Sequence, residues 1–248
     1  MSDSTVYVLM PTAGATHAQE QIDKWRALGY GVGLWLDLGS AVLGSDFHVQ
    51  SCYPGVWRAV NGLAAEAFER GAEVCVFAGD DMDPELAKRA EEIAAEYLER
   101  FPDGFGVMQP CGDPQGELIE RKHNAARICG SAWFGRGWHA RAFGGRGPTP
   151  DRYYHFYGDE ELYVVSGALG VRWMRGDLTQ WHRHWSFAGG LPRREYHERT
   201  SRDHWGVDQQ TYFAERAAGY PSGCPVGMDA GEYAAKISEY KKTDGRAQ

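Results

Sequence analysis

The chain has no CxxC pair, no long apolar run and no excess of positive charge, and each absence narrows what it can be. Its five cysteines, Cys52, Cys75, Cys111, Cys129 and Cys224, are odd in number and scattered. That pattern fits reduced structural thiols and argues against a disulfide framework or a zinc site. No stretch approaches the ~20 apolar residues that cross a bilayer. Residues 1–5 are short and polar, unlike a signal sequence, so a cytoplasmic protein with no membrane partner is expected. The formal net charge of -8 argues against a generic polyanion-binding surface, because phosphate contacts need clustered lysine and arginine. Neither GxGxxG nor GxxxxGK[ST] occurs, which excludes the usual Rossmann and P-loop signatures.

What is present is an alternation of apolar runs and helical stripes. Residues 6–10, 30–38, 74–78, 105–109 and 170–174 read as strands. Residues 16–28 (with Thr16 as N-cap), 55–70, 84–101, 162–169 and 209–218 read as helices. Strands and helices in this order predict an α/β fold with a parallel sheet and right-handed crossovers. The expected organisation is one domain, with a catalytic part over residues 1–188 and a C-terminal lid or helical extension over residues 189–248. The tail after Tyr240 is expected to be disordered.

The densest chemistry lies in residues 74–84, VCVFAGDDMDP. A short buried strand stops at Gly79, and Asp80, Asp81 and Asp83 follow before Pro84. Three carboxylates at a strand end repel one another, and a cation relieves them; hard oxygen ligands suit Mg²⁺ or Mn²⁺. The carboxyl ends of strands in open α/β sheets are also where ligands bind. The plainer reading makes Asp83 the N-cap of a helix beginning at Pro84.

Other segments add candidates, each with two readings. The small-residue turn Pro11, Thr12, Ala13 and Gly14 suits a nucleotide base or ribose, and Asp37 either joins it or caps a loop. Trp133, Phe134, Trp138 and His139 stand beside Arg136, Arg141 and Arg146, a mixture suited to a sugar ring or a stacked base with phosphate, or else to core packing under a loop. Asp159, Glu160 and Glu161 open a helix, either as dipole-favoured charges or with a general base among them. His182 and His184 in WHRHW offer imidazole ligands for a divalent cation. The polar segment 189–204 reads as a lid bringing Arg193 and Arg194 to a diphosphate, or as a solvated loop.

Taken in order, VYVLMPTAG, WRAVNGLAAEAFERGAEVCVF, GDDMDP, GDEEL and WHRHW resemble the GT-A fold glycosyltransferases, especially the family 2-like inverting enzymes. The resemblance implies a GT-A-like nucleotide-binding fold, with a mixed, mostly parallel central sheet flanked by helices and a C-terminal extension. It implies a nucleotide-sugar donor, UDP-sugars favoured, with its base near Pro11, Thr12, Ala13 and Asp37. Mn²⁺ or Mg²⁺ would bridge Asp81 and Asp83 to the diphosphate, Asp80 could replace either, and His182 or His184 would complete the metal shell. Arg58, Arg193 and Arg194 also fall to the donor. Asp159 aligns as the catalytic base, three residues before Leu162, but Gly158 stands where the family often has Glu, which leaves Glu160 as a competitor. The compact chain with a Trp- and Arg-rich middle is similar to phage-type glycosyltransferases, some of which act on hydroxymethylated bases in DNA. On that reading Trp133, Arg136, Trp138 and His139 hold the acceptor, and Arg121, Lys122, Arg127, Arg141 and Arg146 line a groove. The alternatives are a nucleotidyltransferase, disfavoured by the lack of a basic residue in PTAGATH, and a non-catalytic carbohydrate- or nucleotide-binding module.

Overall fold

Strand β1 (Val6–Thr12) is largely buried on both faces, and the other layers assemble on it. The computed structural model describes residues 5–12, 16–38, 44–112, 128–185, 190, 192 and 195–244. After β1 come α1 (Thr16–Ala27), β2 (Gly31–Leu36), β3 (Phe47–Gln50), α2 (Val56–Glu69) and β4 (Val74–Phe77). The two-residue β5 (Met82–Asp83), α3 (Ala90–Arg100), β6 (Val107–Cys111), β7 (Trp133–Gly135) and α4 (Arg136–Arg141) follow. Then come α5 (Gly158–Ala168), β8 (Arg172–Thr179), β9 (Trp181–His182), α6 (Glu195–Ala218) and α7 (Ala230–Asp244).

Seven strands form one sheet in the order β3-β2-β1-β4-β7-β6-β8, parallel except at β7, which runs antiparallel to β4 and β6. The expected architecture, a mixed, mostly parallel sheet flanked by helices with a C-terminal helical extension, is the one observed. Alternation along β1 divides the core. Val6, Val8 and Met10 pack with Ile22 and Trp25 of α1 and with Ile93 and Tyr97 of α3. Tyr7 and Leu9 pack on the other face with Val60, Leu63 and Phe68 of α2. Each large apolar side chain buried this way contributes ~1.5–3 kcal/mol. Tyr212 of α6 and Tyr233 and Ile237 of α7 join the α2 side, so the C-terminal helices extend that core. Among the described residues no helix is long and apolar enough to cross a membrane.

Several boundaries differ from the sequence expectation. The helix predicted over residues 84–101 begins only at Ala90. Glu85 is the reason: its carboxylate accepts from the Ala87 amide at 2.7 Å and from the Thr179 amide at 2.6 Å, which ties this segment to β8. Asp83 is therefore a strand residue and not an N-cap. Strand β3 lies where a loop is expected, β8 runs on to Thr179, and α6 begins within the segment read as a flexible lid. Helix α7 continues to Asp244 through part of the tail expected to be disordered.

The Trp- and Arg-rich middle turns inward, which corrects its reading as an acceptor surface. Trp133 is fully buried and its indole donates to Gln180 at 2.5 Å. Trp138 is equally buried, donates to the Pro148 carbonyl at 2.9 Å and packs on Phe105 and Phe143. Arg136 donates to the Phe68 and Ala72 carbonyls, both at 2.8 Å, and so caps the end of α2. His139 lies against Phe68, and burial pushes its imidazole below the ordinary range. Arg141 pairs with Asp103 over the Phe105 ring, and Arg146 pairs with Asp151. Arg121, Lys122 and Arg127 lie outside the described residues. Replacing Trp138 by alanine is expected to lower the unfolding free energy by ~3–5 kcal/mol, read from urea denaturation. A loss below 1 kcal/mol would place that indole outside the core.

Candidate functional site

Strand order decides where a ligand can enter. From β1 the sheet extends to β2 and β3 on one side, and the chain then returns through α2 to β4 on the other. That reversal opens a crevice beyond the carboxyl ends of β1 and β4. A cavity of about 750 Å³ lies there, a size suited to a small-molecule or cofactor site. Pro11 and Thr12 line it from β1, Asp37 from beyond β2, and Asp80 and Asp81 from beyond β4. Asp159 and Glu160 reach it from the start of α5, and His182 and His184 from β9 and the residues after it.

The three carboxylates of the acidic turn each have different partners. Thr12 donates its hydroxyl to Asp80 at 2.8 Å, which clips the ends of β1 and β4 together with both side chains buried. Asp81 lies 3.2 Å from the Nε2 of His182. Burial alone would raise the Asp81 carboxyl, but the hydrogen bond to His182 and the charges of His182 and His184 outweigh it and hold the group below the ordinary range. Asp83 turns the other way, onto Lys24 at 2.8 Å and Arg183 at 2.6 Å, and does not line the cavity. The expected Asp81–Asp83 metal pair is thereby corrected: both Asp83 oxygens already carry a cation. The device behind this is the β5–β9 ribbon, in which Met82 pairs with His182 and Asp83 with Trp181, while the Arg183 amide donates to the Asp81 carbonyl at 2.8 Å.

Residues 154–157 build the facing wall and are held from three sides. Gly55 has φ +97 and passes so close that a Cβ there would meet the Tyr154 carbonyl oxygen at 2.5 Å. The Trp57 indole donates to the His155 carbonyl at 3.1 Å and covers Gly158, where a Cβ would approach its ring to 2.3 Å. No larger residue fits under that ring, which accounts for glycine at this position. From α6, the buried Asp208 accepts from the amides of Tyr154, His155 and Phe156 at 2.9, 2.8 and 2.9 Å. Tyr157 then adopts a left-handed conformation, φ 67, and α5 begins.

This wall fixes the carboxylates that follow. Burial raises the Glu160 carboxyl, partly offset by the Tyr212 hydroxyl and the Arg216 charge. Glu161 is wholly buried, pairs with Arg152 and accepts from the Tyr153 hydroxyl at 2.5 Å, so it belongs to the core. Asp37 lines the cavity while one of its oxygens accepts from the Leu38 and Tyr53 amides at 2.9 and 3.3 Å, which makes it a loop cap as well. Arg58 points elsewhere, donating to the Asp151 carbonyl at 2.7 Å, and its expected donor role is corrected. Ala13, Arg193, Arg194 and the Thr16 side chain lie outside the described residues.

Sequence reasoning missed Trp57, His155, Asp208 and Trp205. Asp208 meets its partners from 52 to 54 positions away, and no local pattern marks such a contact. Among the described residues no group of three or more His, Cys, Asp or Glu side chains is set to hold a metal ion. No protein-family model matches the chain, and no curated protein matches it significantly.

Two outcomes follow from the wall. Asp208→Ala leaves three amides without their acceptor and is expected to cost about 3 kcal/mol in urea unfolding, whereas a merely surface carboxylate would cost under ~0.5 kcal/mol. His155 gives a pH dependence. Burial pushes its imidazole down to about 4, with Asp208 and Asp81 opposing that shift and His184 and His204 adding to it. The unfolded chain protonates this histidine near ~6.5. Between those values the unfolded state binds more protons, so stability falls as the pH drops through this window. Between about pH 7 and about pH 5, wild type should lose ~1–2 kcal/mol more than His155→Gln, measured by urea midpoints. Equal losses would mean that His155 titrates normally in the fold.

Proposed function

We propose that the chain is a metal-dependent, inverting glycosyltransferase of the GT-A type, moving a sugar from a nucleotide-sugar, UDP-sugars favoured, to an acceptor hydroxyl. The observation that carries this reading is the meeting, in one strand-end cavity, of Thr12, Asp80 and Asp81 with Asp159, Glu160, His182 and His184. On this reading the base and ribose lie by Pro11, Thr12 and Asp37, and the diphosphate lies toward Asp81 and His182.

The donor set is compatible with Mn²⁺ or Mg²⁺. Asp81 and His182 form an oxygen–nitrogen pair 3.2 Å apart, with the His184 ring centred 5.2 Å from that of His182. Such a pair is incomplete by itself, and diphosphate oxygens and water are the ordinary complement of these ions. When bound, the ion stabilises negative charge on the departing diphosphate. The chain's own part is positional and acid–base. Asp159 takes the proton of the acceptor hydroxyl as that oxygen attacks the anomeric carbon opposite the diphosphate, and a single displacement inverts the configuration. Glu160 is the second candidate base, since burial raises its affinity for a proton while Tyr212 and Arg216 engage it.

The test is thermal denaturation with a panel of UDP-, GDP- and TDP-sugars, each with and without Mn²⁺. Binding to the native state alone raises the melting temperature by mass action. One donor should raise it by several degrees only with metal, and Asp81→Asn should abolish the rise. Asp159→Asn should keep the donor response and lower transfer by ~10²–10⁴-fold. A flat response to every donor overturns the transferase reading; a donor response with Asp159→Asn transferring normally removes Asp159 as the base.

A further inference from the structure

We propose that the acceptor subsite is the aromatic wall formed jointly by residues 154–157 and the first turns of α6, and that it takes a neutral carbohydrate; this rests on the glycosyltransferase reading above. Tyr154 and His204 stack with centroids 3.6 Å apart and planes 10° apart. One position on, Trp205 contacts Phe156 at 4.7 Å and Tyr157 at 5.3 Å. These rings line the same cavity as Asp159 and Glu160.

The wall is built into the fold. Asp208, one turn beyond Trp205, clasps the amides of residues 154–156 and is 2% exposed, so the two ring-bearing segments are locked together. Trp205 nonetheless stays 45% exposed. A large indole held at the mouth of a polar cleft by a buried clasp has the form of a binding platform, since an aromatic ring offers an apolar face to a partner that also carries polar groups. A pyranose ring matches it: its C–H face lies flat on an indole, and its hydroxyls donate to carboxylates such as Asp159 and Asp203.

Charge selects the class of acceptor. Asp37, Asp80, Asp81, Asp159, Glu160 and Asp203 line the cavity, against Arg199 as the one arginine or lysine among the described lining residues. A nucleic acid acceptor brings phosphates that need several cations. Arg136, Arg141 and Arg146 are spent on backbone carbonyls, Asp103 and Asp151. A neutral glycan meets no such penalty.

The experiment is titration calorimetry of the full chain with maltose, lactose, cellobiose and chitobiose, and with a duplex containing 5-hydroxymethylcytosine. The donor thermal shift is recorded on the same preparations. At least one disaccharide should bind, Trp205→Ala should weaken it about tenfold, and Trp205→Phe should restore most of the affinity. Donor response should be the same in all three proteins, each shown to be folded by circular dichroism. Disaccharide affinity unchanged in Trp205→Ala overturns the proposal. So does absence of disaccharide binding by protein that responds to a donor, or binding of the duplex in its place. Trp205-dependent disaccharide binding with no donor response keeps the subsite and removes the transferase reading.

Discussion

Like charges gathered at one rim of a mostly parallel sheet are the constraint on which this molecule turns. Asp80, Asp81 and Asp83 arrive within four positions of one another at the end of a buried strand, where mutual repulsion and lost hydration would both raise the energy. The fold gives each a different partner. Asp80 receives the Thr12 hydroxyl, Asp81 receives the His182 imidazole, and Asp83 is turned out to Lys24 and Arg183. Only the first two remain in the cleft. The β5–β9 ribbon makes that division possible, because a single register places Met82 opposite His182 and Asp83 opposite Trp181.

The opposite wall obeys a different logic. Residues 154–157 have no ladder of their own, and exposed backbone donors in a half-buried loop are costly unless met. Asp208 meets three of them with one carboxylate, and Gly55 and Trp57 fix the same stretch from α2. This clasp makes α6 a structural part of the cleft. It also sets Tyr157 in its left-handed turn, from which α5 can start with Asp159 and Glu160 facing the cavity.

The sheet and the cleft's acidic rim were legible in the sequence because their signals are local. VYVLM, VCVF and the helix stripe of Val60, Leu63 and Phe68 announce buried strands and a buried helix face by period alone. Asp80, Asp81, Asp159, His182 and His184 are all in the cavity, as their strand-end and helix-start positions suggest. What composition alone misreads is direction. Trp133 and Trp138 have the residue types of a sugar platform, yet β7 and α4 carry them into the core, where the Gln180 side chain and the Pro148 carbonyl accept hydrogen bonds from their indole N–H groups. Asp83 looks like a ligand until Lys24, 59 positions away, is brought beside it. Glu85 delays the start of α3 through a bond to an amide 94 positions off, which no helix propensity anticipates.

The two walls therefore differ in what they can tolerate. Pro11, Thr12, Asp80 and Asp81 sit at the ends of central strands, and their positions are set by sheet register and by the apolar packing of β1 and β4. The wall of Tyr154, Phe156, His204 and Trp205 lies outside the sheet and is set by the Asp208 carboxylate, by Gly55 and Trp57 and by ring contacts to α6. Stability in proteins is uneven, and segments held by few long-range contacts open at lower cost than central strands. A cleft assembled this way has one side rigid enough to orient a ligand against the carboxylates. Its other side depends on the Asp208 clasp and on the rings that α6 presents. On the glycosyltransferase reading, donor recognition belongs to the strand ends and acceptor choice to the helix. Changes along α6 should then alter which hydroxyl is presented to Asp159 while the strand-end half of the site keeps its geometry.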